Sequence, residues 1–193
     1  MSGAVSIRRK NRVNLLRESR KLASFDEFPL LRPEVDPQVH ASRNEVDQPF
    51  YLVCEKDTVV AQIRGASRLV FAGESVNYYD MEQGDFVYVP AGAPHRILVQ
   101  SPGEMIRYKA SEPGLEAVRW LCERCGNQLD EYAWDNSATL AQAGYLAACE
   151  RHNADEPRRQ CAACGHKHDP IDLTPFQWDA VAETLSRRLP RHG

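Results

Sequence analysis

Two Cys-x-x-Cys-Gly knuckles, Cys122-Glu-Arg-Cys125-Gly126 and Cys161-Ala-Ala-Cys164-Gly165, constrain this chain more than any other feature. Four thiolates in two pairs, about 35 residues apart, suit one tetrahedral ion, either zinc or a single iron. The two residues inside each pair let both sulfurs reach one ion from a tight turn. The glycine that follows adopts φ > 0 readily and is expected to turn backbone N–H groups toward the sulfurs. A disulfide framework is the alternative use of paired cysteines, but 6 cysteines in 193 residues is sparse for one. Cys54 and Cys149 stand apart from the knuckles and read as buried structural thiols.

A net charge of −3 gives no reason to expect nucleic acid or an acidic membrane surface as a partner. The start is locally basic (Arg8, Arg9, Lys10, Arg12, Arg17, Arg20, Lys21), and with Leu15, Leu16 and Leu22 it reads as a solvated amphipathic helix. No apolar run is long enough to span a bilayer, and no hydrophobic stretch follows the basic start, so a cytoplasmic protein is expected.

Residues 1–48 read as a helical leader followed by an extended surface wrap, since Pro29, Pro33 and Pro37 punctuate that stretch. From Phe50 to Tyr108 the pattern becomes short β segments: residues 50–54, 58–63, 68–71, 85–89 and 96–99, with turn signals between them. Strands of that length and spacing indicate a sandwich or barrel, placed at residues 49–115. Residues 116–193 read as a four-cysteine module. It holds a helical stretch near 137–152, then a helix capped by Thr174 and Pro175 with Val181, Leu185 and Leu189 on one face.

The segment Gly84-Asp85-Phe86-Val87-Tyr88-Val89-Pro90-Ala91-Gly92-Ala93-Pro94-His95 resembles the second motif of the cupins, small double-sheet jelly-roll barrels. Gln62-Ile63-Arg64-Gly65 resembles the end of the first. A cupin followed by two Cys-x-x-Cys-Gly pairs, the first preceded by Arg119-Trp120, is similar to bacterial 3-hydroxyanthranilate 3,4-dioxygenase over about residues 60–170. The fold class implied is mainly β: a cupin jelly-roll barrel with a helical N-terminal leader and a C-terminal, rubredoxin-like four-cysteine metal-knuckle module plus helix. The resemblance also implies a barrel Fe(II) held by two histidines and a glutamate, which binds an aminophenol together with O2.

Carried over residue by residue, Cys122, Cys125, Cys161 and Cys164 match the thiolate ligands of one zinc or iron, and His95 matches the second barrel histidine. Leu52 and Thr58 stand where the first histidine and the glutamate belong, Val99 where a substrate-binding arginine belongs, and Arg107 where an acidic residue belongs. One histidine does not make a facial triad, so catalytic Fe(II) is doubtful here. A shifted alignment rebuilds a triad from His40, Glu45 or Asp47, and His95. The bland alternative leaves His40, Glu45 and Asp47 on the surface. His95 is the catalytic candidate, with metal-free proton transfer beside an arginine or tyrosine as its other role. Arg64, Arg96, Arg107, Tyr78 and Tyr108 are further pocket candidates, while His166 and His168 read as neighbours of the knuckles.

The expectation is an enzyme of the 3-hydroxyanthranilate-dioxygenase-like kind acting on a small aromatic or amino-acid-derived metabolite. The alternative is a ligand-binding or accessory cupin whose only metal is held by the cysteines. A small-molecule ligand and a homodimer are the partners expected.

Overall fold

Strand alternation, not helix periodicity, dominates this computed structural model, which describes residues 12–187. Its strands in chain order are β1 Phe28–Pro29, β2 Gln38–Asn44, β3 Tyr51–Cys54, β4 Thr58–Gln62, β5 Ala66–Phe71 and β6 Tyr78–Met81. The remainder are β7 Phe86–Val89, β8 His95–Ser101, β9 Gly103–Lys109, β10 Leu115–Leu121 and β11 Gln128–Asp135. Helices α1 Leu15–Glu18, α2 Ala141–Ala154 and α3 Trp178–Ser186 flank them. The strands form two antiparallel sheets, one ordered β1-β2-β9-β4-β7 and one ordered β11-β10-β3-β8-β5-β6. This is the mainly β, double-sheet architecture expected from the motifs.

The sheets hold together because alternate residues face inward. Strand β5 alternates partly and fully buried side chains along its length, and β10 does the same after its first residue. Leu52, Val60, Leu69, Met81, Val89, Ile97, Met105 and Val118 meet in the apolar part of the core. A second, aromatic part joins the six-stranded sheet to the C-terminal helices. Tyr145 of α2 packs on Phe50 and Trp134, with ring centres 5.2 and 5.5 Å apart. Trp178, at the start of α3, packs on Phe50 at 5.9 Å and sends its indole N–H to the Phe25 carbonyl. Four rings fully or nearly buried at such spacing stabilise by both area and geometry.

Four local expectations give way to tertiary packing. The stretch read as a surface wrap contains β2, which pairs with β9 from Gln38↔Lys109 to Asn44↔Gly103. Its alternate side chains are polar (Gln38, His40, Ser42, Asn44), so it lacks the apolar alternation that marks a strand in sequence. The leader helix is a single turn, α1, capped by the Asn14 side chain accepting from the Arg17 N–H; the basic residues from Arg8 to Lys10 lie outside the described residues. The sheet does not stop at residue 115: β10 pairs with β3 and β11 with β10, so both strands extend the six-stranded sheet. Helix α3 begins at Trp178 rather than after Thr174, whose N–H is taken by the Asp172 side chain. Val181 and Leu185 are buried as expected, and Leu189 lies outside the described residues. Among the described residues no helix is long and apolar enough to cross a membrane.

Candidate functional site

Charged side chains occupy the space between the two sheets. Arg107 and Lys109 are two residues apart on β9, so both point to the same face. His40 lies opposite Arg107 across the β2–β9 pair. From the other sheet come Cys54 and Glu116, paired across β3–β10, and His95, which lies opposite Leu52 across β3–β8. A final carboxylate, Glu27, reaches this interior from the loop before β1.

That loop is unusual. Phe25 and Glu27 hold φ values of 54° and 42°, the left-handed region that costs an ordinary side chain energy. The surrounding structure offsets this cost with hydrogen bonds. Phe25 N–H donates to Asn44 Oδ1 and Glu27 N–H to Ser42 Oγ, while Gln142 Nε2 donates to the carbonyls of Asp26 and Glu27. The result is a carboxylate placed inside the barrel, bonded to Arg107 Nε at 2.9 Å, Lys109 Nζ at 2.8 Å and the Tyr145 hydroxyl at 3.0 Å. Lys109 also pairs with Glu116 Oε1 at 2.7 Å. Two cations and two carboxylates thus neutralise one another in a buried interior, where each alone would cost several kcal/mol. Burial opposes the charge on Glu27, but Lys109 and Arg107 outweigh it and hold its carboxyl far below the usual range. Burial likewise opposes charge on Lys109, and Glu116 and Glu27 outweigh it in turn.

His95 is fully buried and both its nitrogens are engaged. Nδ1 lies 3.0 Å from the Ala93 carbonyl and Nε2 lies 2.7 Å from Arg107 Nη1. A carbonyl accepts and a guanidinium donates, so Nδ1 carries the proton and Nε2 is the acceptor. Burial and the Arg107 charge push the ring's pKa down to about 3, so it is neutral at any ordinary pH. Arg107 Nη1 also reaches Thr58 Oγ1 at 3.4 Å. Thr58, His95 and Arg107, three of the positions singled out by the resemblance, are therefore neighbours.

The other sequence candidates divide. His40 faces the barrel, its Nδ1 buried without a hydrogen-bond partner, and burial together with Lys109 pushes its pKa down to about 3. Glu45 and Asp47 do not join it. Glu45 is exposed and pairs with Arg43, and the exposed Asp47 accepts the Val99 N–H. Among the described residues, the four cysteines alone form a cluster of three or more His, Cys, Asp or Glu ligand atoms. The barrel residues therefore do not fit Fe(II), because Arg107 stands where a cation on His95 Nε2 would sit. Arg64 is exposed, Arg96 donates to the Gln48 carbonyl, Tyr78 lies exposed under Arg68, and Tyr108 stacks with Phe86. Of those further candidates only Arg107 enters the interior.

The cysteines fit a metal well. Their four sulfurs all lie within 4.8 Å of one another. Cys122 and Cys164 are 3.7 Å apart and Cys125 and Cys161 are 3.5 Å apart, near the ~3.8 Å edge of a tetrahedron with 2.3 Å metal–sulfur bonds and far from a disulfide. Both knuckles repeat one hairpin. Gly126 and Gly165, at φ 74° and 71°, donate to the carbonyls of Cys122 and Cys161. The glycine N–H groups thus close the turns on carbonyl oxygens. His166 and His168 meet edge-on at 4.6 Å and stand outside the four-sulfur cluster. Cys149 is buried in α2, and Cys54 is buried beside Glu116, with burial and that carboxylate pushing its thiol up to about 12.

Sequence reasoning missed Glu27, Lys109, Glu116 and Tyr145. Lys109 and Glu116 carried a signal, a charge at an inward position of an alternating strand. Glu27 and Tyr145 carried none, since a loop and a helix bring them in from outside the barrel pattern.

No family model matches the chain. It is 24% identical over 136 residues to 3-hydroxyanthranilate 3,4-dioxygenase 2 of Aspergillus oryzae, a match covering 67% of this chain and 76% of the relative. It is 26% identical over 113 residues to 3-hydroxyanthranilate 3,4-dioxygenase 1 of Aspergillus clavatus, covering 54% of this chain but only 57% of the relative. Among solved structures, it is similar to a hydroquinone 1,2-dioxygenase in complex with Cd2+ and 4-hydroxybenzonitrile, with 14% identity, TM-score 0.48 and coverage of 57% of this chain and 80% of that one. It is also similar to a cupin-2 domain protein from Shewanella frigidimarina, with 12% identity, TM-score 0.44 and coverage of 51% and 93%.

Proposed function

We propose that this chain is a dioxygenase-like cupin that takes up a small aromatic or amino-acid-derived metabolite and holds no iron in its barrel. The observation that carries this reading is the 2.7 Å contact between Arg107 Nη1 and His95 Nε2. It gives the histidine's lone pair to a guanidinium, and a facial triad needs three protein ligands with open positions beside them. Its weak sequence relatives are named as 3-hydroxyanthranilate dioxygenases, which supports the class of ligand. On this reading the four cysteines hold one structural zinc or iron that stabilises the C-terminal part of the fold.

A second reading, binding without turnover, draws on the histidines. His40 and His95 both have pKa values near 3, so neither is poised to exchange a proton near neutrality. Under that reading the barrel is a receptor for its ligand.

Elemental analysis of anaerobically purified protein tests the proposal. One metal per chain is expected in wild type and in His95→Ala, with no O2 uptake when 3-hydroxyanthranilate is added. Two metals in wild type falling to one in His95→Ala would overturn it and restore iron-dependent ring cleavage.

A further inference from the structure

A cavity of about 340 Å³ opens beside the charged interior, at the end of the barrel formed by β2, β3, the start of β4 and the β9–β10 turn. Its deep wall carries His40, Cys54, Thr58, Lys109 and Glu116. Its outer walls combine apolar side chains, Pro29, Leu31, Pro33, Leu115, Leu140 and Leu185, with a charged rim. An apolar cleft of this size converging on a few polar groups is the usual form of a small-molecule site.

Two buried atoms on residues that line the cavity lack partners. Glu116 Oε2 and His40 Nδ1 are buried and make no hydrogen bond. Glu116 is only 5% exposed, and its other oxygen is taken by Lys109. A buried carboxylate oxygen without a donor costs the full loss of its hydration. The cations nearby do not supply one, since Arg107 and Lys109 are directed at Glu27, His95 and Glu116 Oε1. A ligand that donates would.

Charge around the cavity agrees. Four carboxylates (Glu55, Asp57, Glu112, Glu116) and two ammonium groups (Lys56, Lys109) line it, an excess of negative charge. Lys56 is occupied by Glu112 at 2.6 Å. A ligand carboxylate would enter a negative mouth and end beside an unpaired carboxylate oxygen, with no free cation among the described residues that line the cavity to meet it.

We propose that this cavity binds a small ligand with an apolar body and a hydrogen-bond-donating head, a primary ammonium or a hydroxyl, and rejects carboxylates. The head donates to Glu116 Oε2, and a hydroxyl head also accepts from or donates to His40 Nδ1. The proposal rests on the small-molecule reading above and narrows it to one side of the charge scale.

Isothermal titration of the full chain with benzylamine, benzyl alcohol and benzoate tests it, because the three probes share a ring and differ in the head. Benzylamine and benzyl alcohol are expected to bind at least tenfold more tightly than benzoate. Glu116→Gln is expected to erase the preference for the amine. Leu31→Trp, which fills the outer wall at a partly exposed position away from the charges, is expected to abolish binding of both. Benzoate as the tightest probe would overturn the proposal and leave the small-molecule reading in place. Failure of all three to bind would overturn both. Should Glu116→Gln not fold, Leu31→Trp decides alone: loss of benzylamine binding supports the site and retention overturns it.

Discussion

Arg107 Nη1 lies 2.7 Å from His95 Nε2, while its Nε pairs with Glu27 at 2.9 Å. One guanidinium therefore ties the motif histidine on β8 to a carboxylate delivered by the loop before β1. The interior between the sheets converges on an ion pair.

Removing one member of this pair should be severe. Arg107→Ala leaves Glu27 with Lys109 and Tyr145 only, and loss of one buried partner is expected to cost roughly 3–5 kcal/mol. Urea unfolding measures it. Arg107→Met combined with Glu27→Gln should recover most of the loss, because no bare charge remains. A double variant no more stable than Arg107→Ala would show that packing, not charge, sets the cost.

Acid should destabilise the fold before it protonates most carboxylates. His40 and His95 have folded pKa values of about 3, against about 6.5 unfolded. Between those values the unfolded chain binds protons that the folded chain refuses, so stability is full above pH 6.5 and falls as the pH drops toward 3. Each histidine contributes a slope of about 1.4 kcal/mol per pH unit inside that window. The depressed Glu27 adds a loss of the same sign at lower pH. Unfolding free energies at pH 7, 6 and 5 should show the decline, with a shallower slope in His40→Leu. A flat profile over this range would contradict the neutral, buried state of both rings.

The thiolate cluster should behave as part of the fold. Cys125→Ser or Cys164→Ser is expected to lose the bound metal and lower the melting temperature, since metal binding there is folding free energy. A red protein with thiolate-to-iron absorption would identify iron, and a colourless one zinc. Full metal content in either variant would show that the sulfurs are not the ligands.

Helix α2 should tolerate nothing larger than glycine at 144. A Cβ there would lie 2.4 Å from Trp134 Cε2, so the helix backbone rests directly on the indole of β11. Gly144→Ala is expected to destabilise by about 1–3 kcal/mol despite alanine's better helix propensity. Thermal melts of the two proteins decide it, and a more stable Gly144→Ala would mean that Trp134 moves freely.

Much of the architecture was legible in the residues alone. The knuckles carry their own turn geometry, so Cys122, Cys125, Cys161 and Cys164 come together as the spacing implies. Strands β3, β4, β5, β7 and β8 announce themselves by short β-prone runs between turn residues, because burial of one sheet face writes period two into the chain. The positions of Thr58, His95 and Arg107 as barrel neighbours followed from motif alignment. What they do there did not. Glu27 meets Arg107 across 80 residues of chain, through a loop held in left-handed backbone by Asn44, Ser42 and Gln142. Strand β2 stayed hidden because its alternate residues are polar, and they are polar because they serve the interior. Local spacing and periodicity are properties of neighbouring residues and can be read from their order. The pairing of a buried charge depends on which distant segment fills the last space between the sheets, and only the folded chain decides that.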